Sequence, residues 1–268
     1  MSKAIDPSTA AASSWRSDLR VLWHLLAHPV RGNTHQERLE SFYGAQADDY
    51  EAFRARMLHG RRELIQSLEF QSGDVWVDMG AGTGENVKHA SERAAELGEI
   101  HLVDLSPSLL SVANDRTQAM GMDNVQTHLA DATQFTTGNG TADVVTFSYS
   151  LTMIPDWFEA IRRAEQMLKP GGIIAVTDFY VSRKYAAEGH RQHGWLRRAF
   201  WSHWFAADNV YLSGDHASLL HRRFQPIHFQ ERLGKVPYMP LIKAPYYSFV
   251  GRKLAGDHGS HEDSSHGH

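Results

Sequence analysis

The sequence predicts an α/β fold: a doubly wound, mostly parallel seven-stranded sheet preceded by a block of helices. Three observations predict it. Apolar runs at Val75–Val77, Ile100–Val103, Val125–Leu129, Asp143–Ser148 and Ile173–Asp178 alternate with stretches of helical period. The first run passes through Asp78 and Met79 into Gly80, Ala81, Gly82, Thr83 and Gly84, with glycine at every second position. Two further strand-like pieces, Pro226–Glu231 and Tyr246–Val250, bring the strands to seven.

Composition bounds what such a chain does. Its 268 residues suit one domain with additions, and 42% hydrophobic content with a mean hydropathy of −0.43 describes a globular protein. A formal charge of −4 favours no nucleic-acid partner. The absence of cysteine excludes disulfides, a cysteine nucleophile and a thiolate metal site, and is compatible with the cytosol. No apolar run approaches the ~18 residues of a spanning helix, and the N-terminus reads as no secretory signal.

Along the chain, residues 1–14 are small and polar and read as disordered. Leu19, Leu22, Trp23 and Leu26 then recur at helical spacing beside Arg16 and Arg20. They fit either an amphipathic helix on a membrane surface or a helix capping the domain. A second helical block, residues 37–68, completes a cap over 15–68. It places Tyr43 and Tyr50 seven apart on one helical face. Such a stripe is more often core than chemistry. Over a ligand site the same pair closes the pocket and donates hydroxyls, which makes both candidate catalytic residues.

Glu85–Leu97, closed by Gly98, reads as the helix after strand 1, and Ser106-Pro107 starts a helix that reaches about Met120. Asp78 ends the first strand, Asp104 the second and Asp131 the third, so three consecutive strands deliver a carboxylate to one sheet edge. Asp104, twenty residues after Gly84, is placed for a ribose diol. That set suits S-adenosylmethionine, whose adenine amine, ribose hydroxyls and ammonium want acceptors and which carries no phosphate. A dinucleotide wants a pyrophosphate slot lined by a helix dipole instead. The candidate cofactor residues are Asp78, Gly80, Gly82, Thr83, Gly84, Asp104, Leu105, Asp131, Ala132 and Ser148.

Strand 4 runs into Tyr149-Ser150-Leu151-Thr152-Met153-Ile154-Pro155. In an open sheet, ligands sit beyond the carboxyl ends of the strands, so Tyr149 is the leading catalytic candidate; a tyrosine that merely closes the strand is the competing reading. Trp157–Leu168 forms a helix stopped by Lys169-Pro170-Gly171-Gly172. Together, the acid–glycine turn, Asp104, Asp131 and this Lys-Pro-Gly-Gly segment resemble the class I S-adenosylmethionine-dependent methyltransferases over about 71–178. The resemblance implies a Rossmann-like methyltransferase fold ending in an antiparallel hairpin.

Residues 183–205 are basic and aromatic: Arg183, Lys184, Arg191, Arg197 and Arg198 with Trp195, Trp201 and Trp204, against one acid, Glu188. This mixture favours a substrate or anionic-lipid interface over a solvated helix pair with core tryptophans. Its histidines lack metal-ligand spacing, so no metal is expected. The tail from 254 is histidine-rich, of low complexity, and reads as disordered.

A narrower resemblance rests on Phe42 to Tyr50, on His59-Gly60-Arg61 and on Phe147 to Pro155. These are similar to the N-methyltransferases of betaine-lipid synthesis, over about 34–253. The resemblance implies trimethylation of diacylglyceryl-homoserine by a protein peripheral to the inner face of the cytoplasmic membrane, with the enzyme that makes that lipid as a possible partner. The homoserine carboxylate then wants Arg61, Arg183 or Lys184, and the quaternary product an aromatic face such as Tyr43, Tyr149 or Tyr180. Phosphatidylethanolamine N-methylation, quinone-ring C-methylation and non-catalytic cofactor binding at a membrane surface are the competing readings.

Overall fold

The computed structural model describes residues 56–254, apart from Ser91, Asp208 and Tyr238. Tyr43, Tyr50, the part of the predicted helical cap before residue 56 and the histidine-rich tail lie outside these residues. The segment His59-Gly60 leads into helix α1, Arg61–Ser67, which precedes strand β1, Val75–Met79. Helices α2 (Glu85–Ala90) and α3 (Glu92–Ala95) follow the glycine turn, then β2 (Glu99–Asp104), α4 (Pro107–Ala119) and β3 (Val125–Leu129). After β4 (Ala142–Ser148) come a 3-10 turn, Leu151–Met153, α5 (Trp157–Met167) and β5 (Leu168–Phe179). The chain continues with α6 (Trp195–Ala206), α7 (His216–Arg223), β6 (Phe224–Val236) and β7 (Met239–Lys253).

The seven strands order as β3-β2-β1-β4-β5-β7-β6, and only β7 runs against its neighbours. Strand order reverses between β1 and β4, which opens a crevice at their carboxyl ends. Helices pack on both faces, as a sheet buried on both sides requires. Ile65, Val87, Ala90, Ala94 and Ala113 cover one face, and Ile161, Ala164, Met167 and Leu220 the other. Trp76 is fully buried and donates its indole N–H to Thr146 Oγ1 at 2.9 Å.

Local chemistry sets the element ends. Ser106 caps α4, its Oγ accepting from Leu109 N at 3.3 Å with Pro107 in the first turn. Glu85–Ala90 and Glu92–Ala95, within the predicted Glu85–Leu97 helix, are helical. Lys169-Pro170-Gly171-Gly172, expected to separate helix from strand, instead opens β5 as a bulge between the pairs Ala142–Leu168 and Val144–Ile173. Lys169 Nζ reaches both oxygens of Asp143 at 2.8 Å, and Asp143 accepts from Val75 N at 2.9 Å. That motif stitches the amino ends of three strands and stands away from the crevice. The terminal hairpin is far longer than its apolar runs suggest. Pro226, Gly234, Pro240 and Pro245 interrupt the hydrophobic pattern, and edge strand β6 exposes much of its length.

Candidate active site at the switch point

The glycine turn ends β1 with Gly80 at φ +72°, Gly82 at +57° and Gly84 at +69°, a left-handed backbone that glycine adopts without strain. A Cβ on Gly80 would lie 2.4 Å from Ser150 Cβ, so the turn presses directly on the segment after β4. A Cβ on Gly82 would enter open space, and Gly82 lines the cleft. A residue with a side chain there would have to accept the left-handed backbone.

The cleft encloses about 180 Å³ beyond the tips of β1, β2, β3 and β4. Gly80, Gly82, Asp104, Leu105, Asp131, Ala132 and Tyr149 of the predicted set line it, joined by Ser150, Met153, Ile154 and Asp156. Among the described residues, every charged group of this lining is an acid. Asp104 accepts from Gly82 N at 2.8 Å through Oδ2 and from Ser106 N at 2.9 Å through Oδ1. Its carboxylate therefore both shapes the turn and marks the β2 tip. Asp131 Oδ1 accepts from Thr133 N and Thr133 Oγ1, both at 2.8 Å, while Oδ2 has no partner among the described residues. Leu105 and Ala132 supply apolar wall.

Four predicted cofactor residues do not line the cleft. Asp78 is fully buried: Thr146 Oγ1 donates to it at 2.6 Å and Asn86 Nδ2 to both its oxygens at 3.0 Å. Burial raises its pKa, opposed by the Thr146 hydroxyl, the Arg61 charge and Asn86. Asp78 thus anchors α2 beneath the turn, because Asn86, which nothing in the sequence pattern distinguishes, turns inward to meet it. Thr83 receives Arg116 Nη1 at its hydroxyl, at 3.1 Å, and at its carbonyl. Gly84 serves packing, since its Cβ would meet Ala113 Cβ at 3.2 Å and Leu102 Cδ1 at 3.3 Å. Ser148 is buried, its hydroxyl without a hydrogen-bond partner.

Tyr149 does reach the cleft, with a role narrower than expected. It holds φ +58°, unusual for a bulky residue, and its N donates to Thr177 O at 2.8 Å. Its hydroxyl donates to the His59 carbonyl at 2.5 Å, and its ring leans on Phe179 at 4.6 Å between centroids. Burial and the nearby Asp178 push its pKa well above the usual tyrosine range. A hydroxyl so committed makes the ring a wall and a tie to the segment before α1, not a proton relay. Tyr149→Phe is therefore expected to cost about 1 kcal/mol of stability while leaving cofactor affinity unchanged. Denaturant unfolding and calorimetric titration of the variant check both, and a collapse of affinity would return the hydroxyl to the chemistry.

The predicted substrate residues do not converge. Arg61 Nε donates to Asn86 Oδ1 at 2.8 Å, and Arg183 pairs with Asp215. Lys184 lies 5.2 Å from the centroid of the Tyr185 ring. Tyr180 is buried, its hydroxyl donating to Glu231 Oε1 at 2.8 Å beside the His193 ring. None of these four lines the cleft. Tertiary partners already claim Arg61, Arg183 and Tyr180.

Asp178, at the tip of β5, continues the series of acids ending apolar runs and was readable on that pattern. It is fully buried, accepting from Thr152 Oγ1 and Phe179 N at 2.8 Å and from Thr152 N at 3.1 Å. Burial pushes its pKa up to about 7. The folded chain thus holds this proton more tightly than the unfolded chain. Its contribution favours folding below the ordinary carboxylate value and is lost as pH rises through about 7. Relative to Asp178→Asn, the wild type is expected to lose up to about 4 kcal/mol of unfolding free energy between about pH 4 and pH 8. Denaturant titrations across that range test it, and a constant difference would contradict it.

Residues 50–237 match the family model described as a methyltransferase domain. The chain is 27% identical over 149 residues to the ubiquinone/menaquinone biosynthesis C-methyltransferase UbiE of Hydrogenovibrio crunogenus, covering 53% of this chain and 59% of that one. It is 26% identical over 118 residues to the demethylmenaquinone methyltransferase of Geobacillus stearothermophilus, covering 44% and 50%. The matched region thus spans about half the length of these curated relatives. In fold it is similar to Haemonchus contortus phosphoethanolamine N-methyltransferase 2 in complex with S-adenosyl-L-methionine. There the TM-score is 0.64 at 16% identity, covering 83% of this chain and 60% of that one. S-adenosylmethionine fits the cleft: among the described residues acids alone carry its charge, Asp131 keeps an acceptor oxygen to spare, and Gly82 leaves its near side open. With the family model covering well over half its length, the chain belongs to the methyltransferase-domain family.

Proposed function

We propose that this protein transfers methyl groups from S-adenosylmethionine to the amine of diacylglyceryl-homoserine at a membrane surface. The observation that carries the donor is the cleft itself, with Asp104 and Asp131 at adjacent strand tips and no cation among the described residues of its lining. When bound, the donor supplies a methyl group already activated by its sulfonium. The chain's own residues supply alignment and dryness. Asp104, fixed by two backbone N–H groups, offers its carboxylate to the ribose hydroxyls. Asp131 Oδ2 is the acceptor for the adenine amine. Leu105, Ala132, Met153 and Ile154 exclude water, and the Tyr149 ring closes the β4 side. Holding two reactants in register supplies several kcal/mol of the barrier without any covalent role for the protein.

For the acceptor, support comes from the segment that carries the narrower resemblance. Tyr149, Ser150, Met153, Ile154 and Pro155, all within Phe147–Pro155, form one wall of the cleft. A second reading, quinone-ring C-methylation, is favoured by the names of the curated relatives. Both acceptors are lipids, and among the described residues no helix is long and apolar enough to cross a membrane. Incubating the purified chain with radiolabelled donor and, in turn, diacylglyceryl-homoserine, phosphatidylethanolamine and a demethylated quinone separates the readings. Up to three methyls on the homoserine lipid are expected. Label found in the quinone alone would replace this acceptor.

A further inference from the structure

Helix α6 is amphipathic in a way that places lipid chemistry one ring layer from the cleft. Its inner stripe, Trp201 and Phe205, is buried, with Phe205 4.5 Å from Phe179 and Phe179 in turn 4.6 Å from Tyr149. Its outer surface exposes large apolar groups: Trp195 is 70% exposed, Leu196 66% and Phe200 41%, with Tyr185 of the preceding loop at 78%. Isolated exposed apolar residues are ordinary, but three on one helix of twelve residues beside a fourth form a patch.

The charges around the patch are mostly positive. Within 183–205 the cations are Arg183, Lys184, Arg191, Arg197 and Arg198, and the acid is Glu188. Asp215 satisfies Arg183, whereas Lys184, Arg197 and Arg198 have no carboxylate partner among the described residues. Arg198 Nε is buried and has no hydrogen-bond acceptor among the described residues. A guanidinium N–H withdrawn from water with nothing to donate to is costly unless an acceptor arrives. Arg198 lines a shallow open groove with Lys184, Trp195, Ser202 and Gly214, where the one carboxylate, Asp215, is paired with Arg183. Arginine, ammonium, hydroxyl and an indole edge at one spot match a phosphodiester at headgroup depth, where lysine and arginine stems lie along apolar surface and tryptophan occupies the interface.

We infer that the Lys184–Arg198 groove binds the phosphate of an anionic phospholipid while Trp195, Leu196, Phe200 and Tyr185 insert into the same leaflet, seating the cleft on the membrane. This deepens the membrane-surface part of the proposed function and is indifferent to which lipid is methylated. The electrostatic part is worth about fivefold in partitioning per cation, so the double replacement Lys184→Gln with Arg198→Gln is expected to weaken binding about thirtyfold.

The test is co-sedimentation of the full chain with vesicles of phosphatidylcholine, alone or in equal parts with phosphatidylglycerol. Binding is expected only with phosphatidylglycerol, reduced by salt, weakened about thirtyfold in the charge double variant and lost in Trp195→Ser with Phe200→Ser. Calorimetry with S-adenosylmethionine, unchanged in both variants, shows that they remain folded. Equal binding to neutral vesicles, or undiminished binding by the charge variant, overturns the groove. So does inorganic phosphate held by calorimetry at the same residues without any bilayer. A concentration-dependent dimer in sedimentation velocity, abolished by Phe200→Ser, would assign the face to a second copy of the chain and also overturn it. A chain that methylates dispersed homoserine lipid but ignores vesicles refutes the docking alone. One that binds vesicles and methylates nothing refutes the transfer alone.

Discussion

Asp104→Ala is expected to weaken S-adenosylmethionine binding more than a hundredfold. The carboxylate holds Gly82 N at 2.8 Å and Ser106 N at 2.9 Å, so its loss frees two backbone donors at once. It also removes the acceptor proposed for the ribose. Hydrogen bonds to a charged group contribute about 1.5–3 kcal/mol each, and losing the two proposed from the ribose hydroxyls exceeds the ~2.7 kcal/mol that a hundredfold change represents, with the freed backbone donors loosening the turn besides. Asp104→Asn keeps one acceptor oxygen and should fall between the two, about tenfold weaker than wild type. Calorimetric titration measures both. Wild-type affinity in the alanine variant would show that the β2 tip is not part of the donor site.

Gly80→Ala carries the largest expected effect on stability, about 2–5 kcal/mol. Two separate costs add. A residue with a Cβ at φ +72° takes a left-handed conformation, and that Cβ would stand 2.4 Å from the Cβ of Ser150. Backbone flanks the contact on both sides, so no flexible side chain can swing away. Pairing Gly80→Ala with Ser150→Gly removes the collision but leaves the left-handed strain, and it also forfeits the bond from Ser150 Oγ to Met79 O at 2.8 Å. A double-mutant cycle by denaturant unfolding should show favourable coupling of about 1–3 kcal/mol. Strictly additive effects would mean that the β1 turn and the β4 segment do not press on one another.

These two residues show what the sequence made legible. Alternating apolar runs and glycine punctuation determine the order of strands and helices, because period and turn chemistry are local properties. The acids at the tips of β2 and β3 could be placed on one edge before any coordinates, since parallel strands end on the same side of the sheet. Asp78 followed the same pattern and departs from it, for it sits one residue before the end of β1 and its side chain turns under the sheet to Thr146 and Asn86. A period of two separates those faces, and a single-residue shift at a strand end exchanges ligand for core.

The substrate-side assignments were not legible for a different reason. Whether Arg61 or Arg183 is available depends on Asn86, 25 residues away, and on Asp215, 32 residues away, and those partnerships are tertiary. Tyr180 likewise meets Glu231 only because β5 and β6 share the sheet through β7. The tie between the Tyr149 hydroxyl and His59 spans 90 residues. Residue type announces what a side chain can do. Only the fold says what it is already doing.

Titration calorimetry of the purified chain against S-adenosylmethionine and its demethylated product, beside a pyrophosphate-bearing dinucleotide, tests the central claim most directly. An acid-lined cleft predicts saturable heat with the first two and none with the dinucleotide. Tight dinucleotide binding with no heat from the sulfonium donor would contradict it.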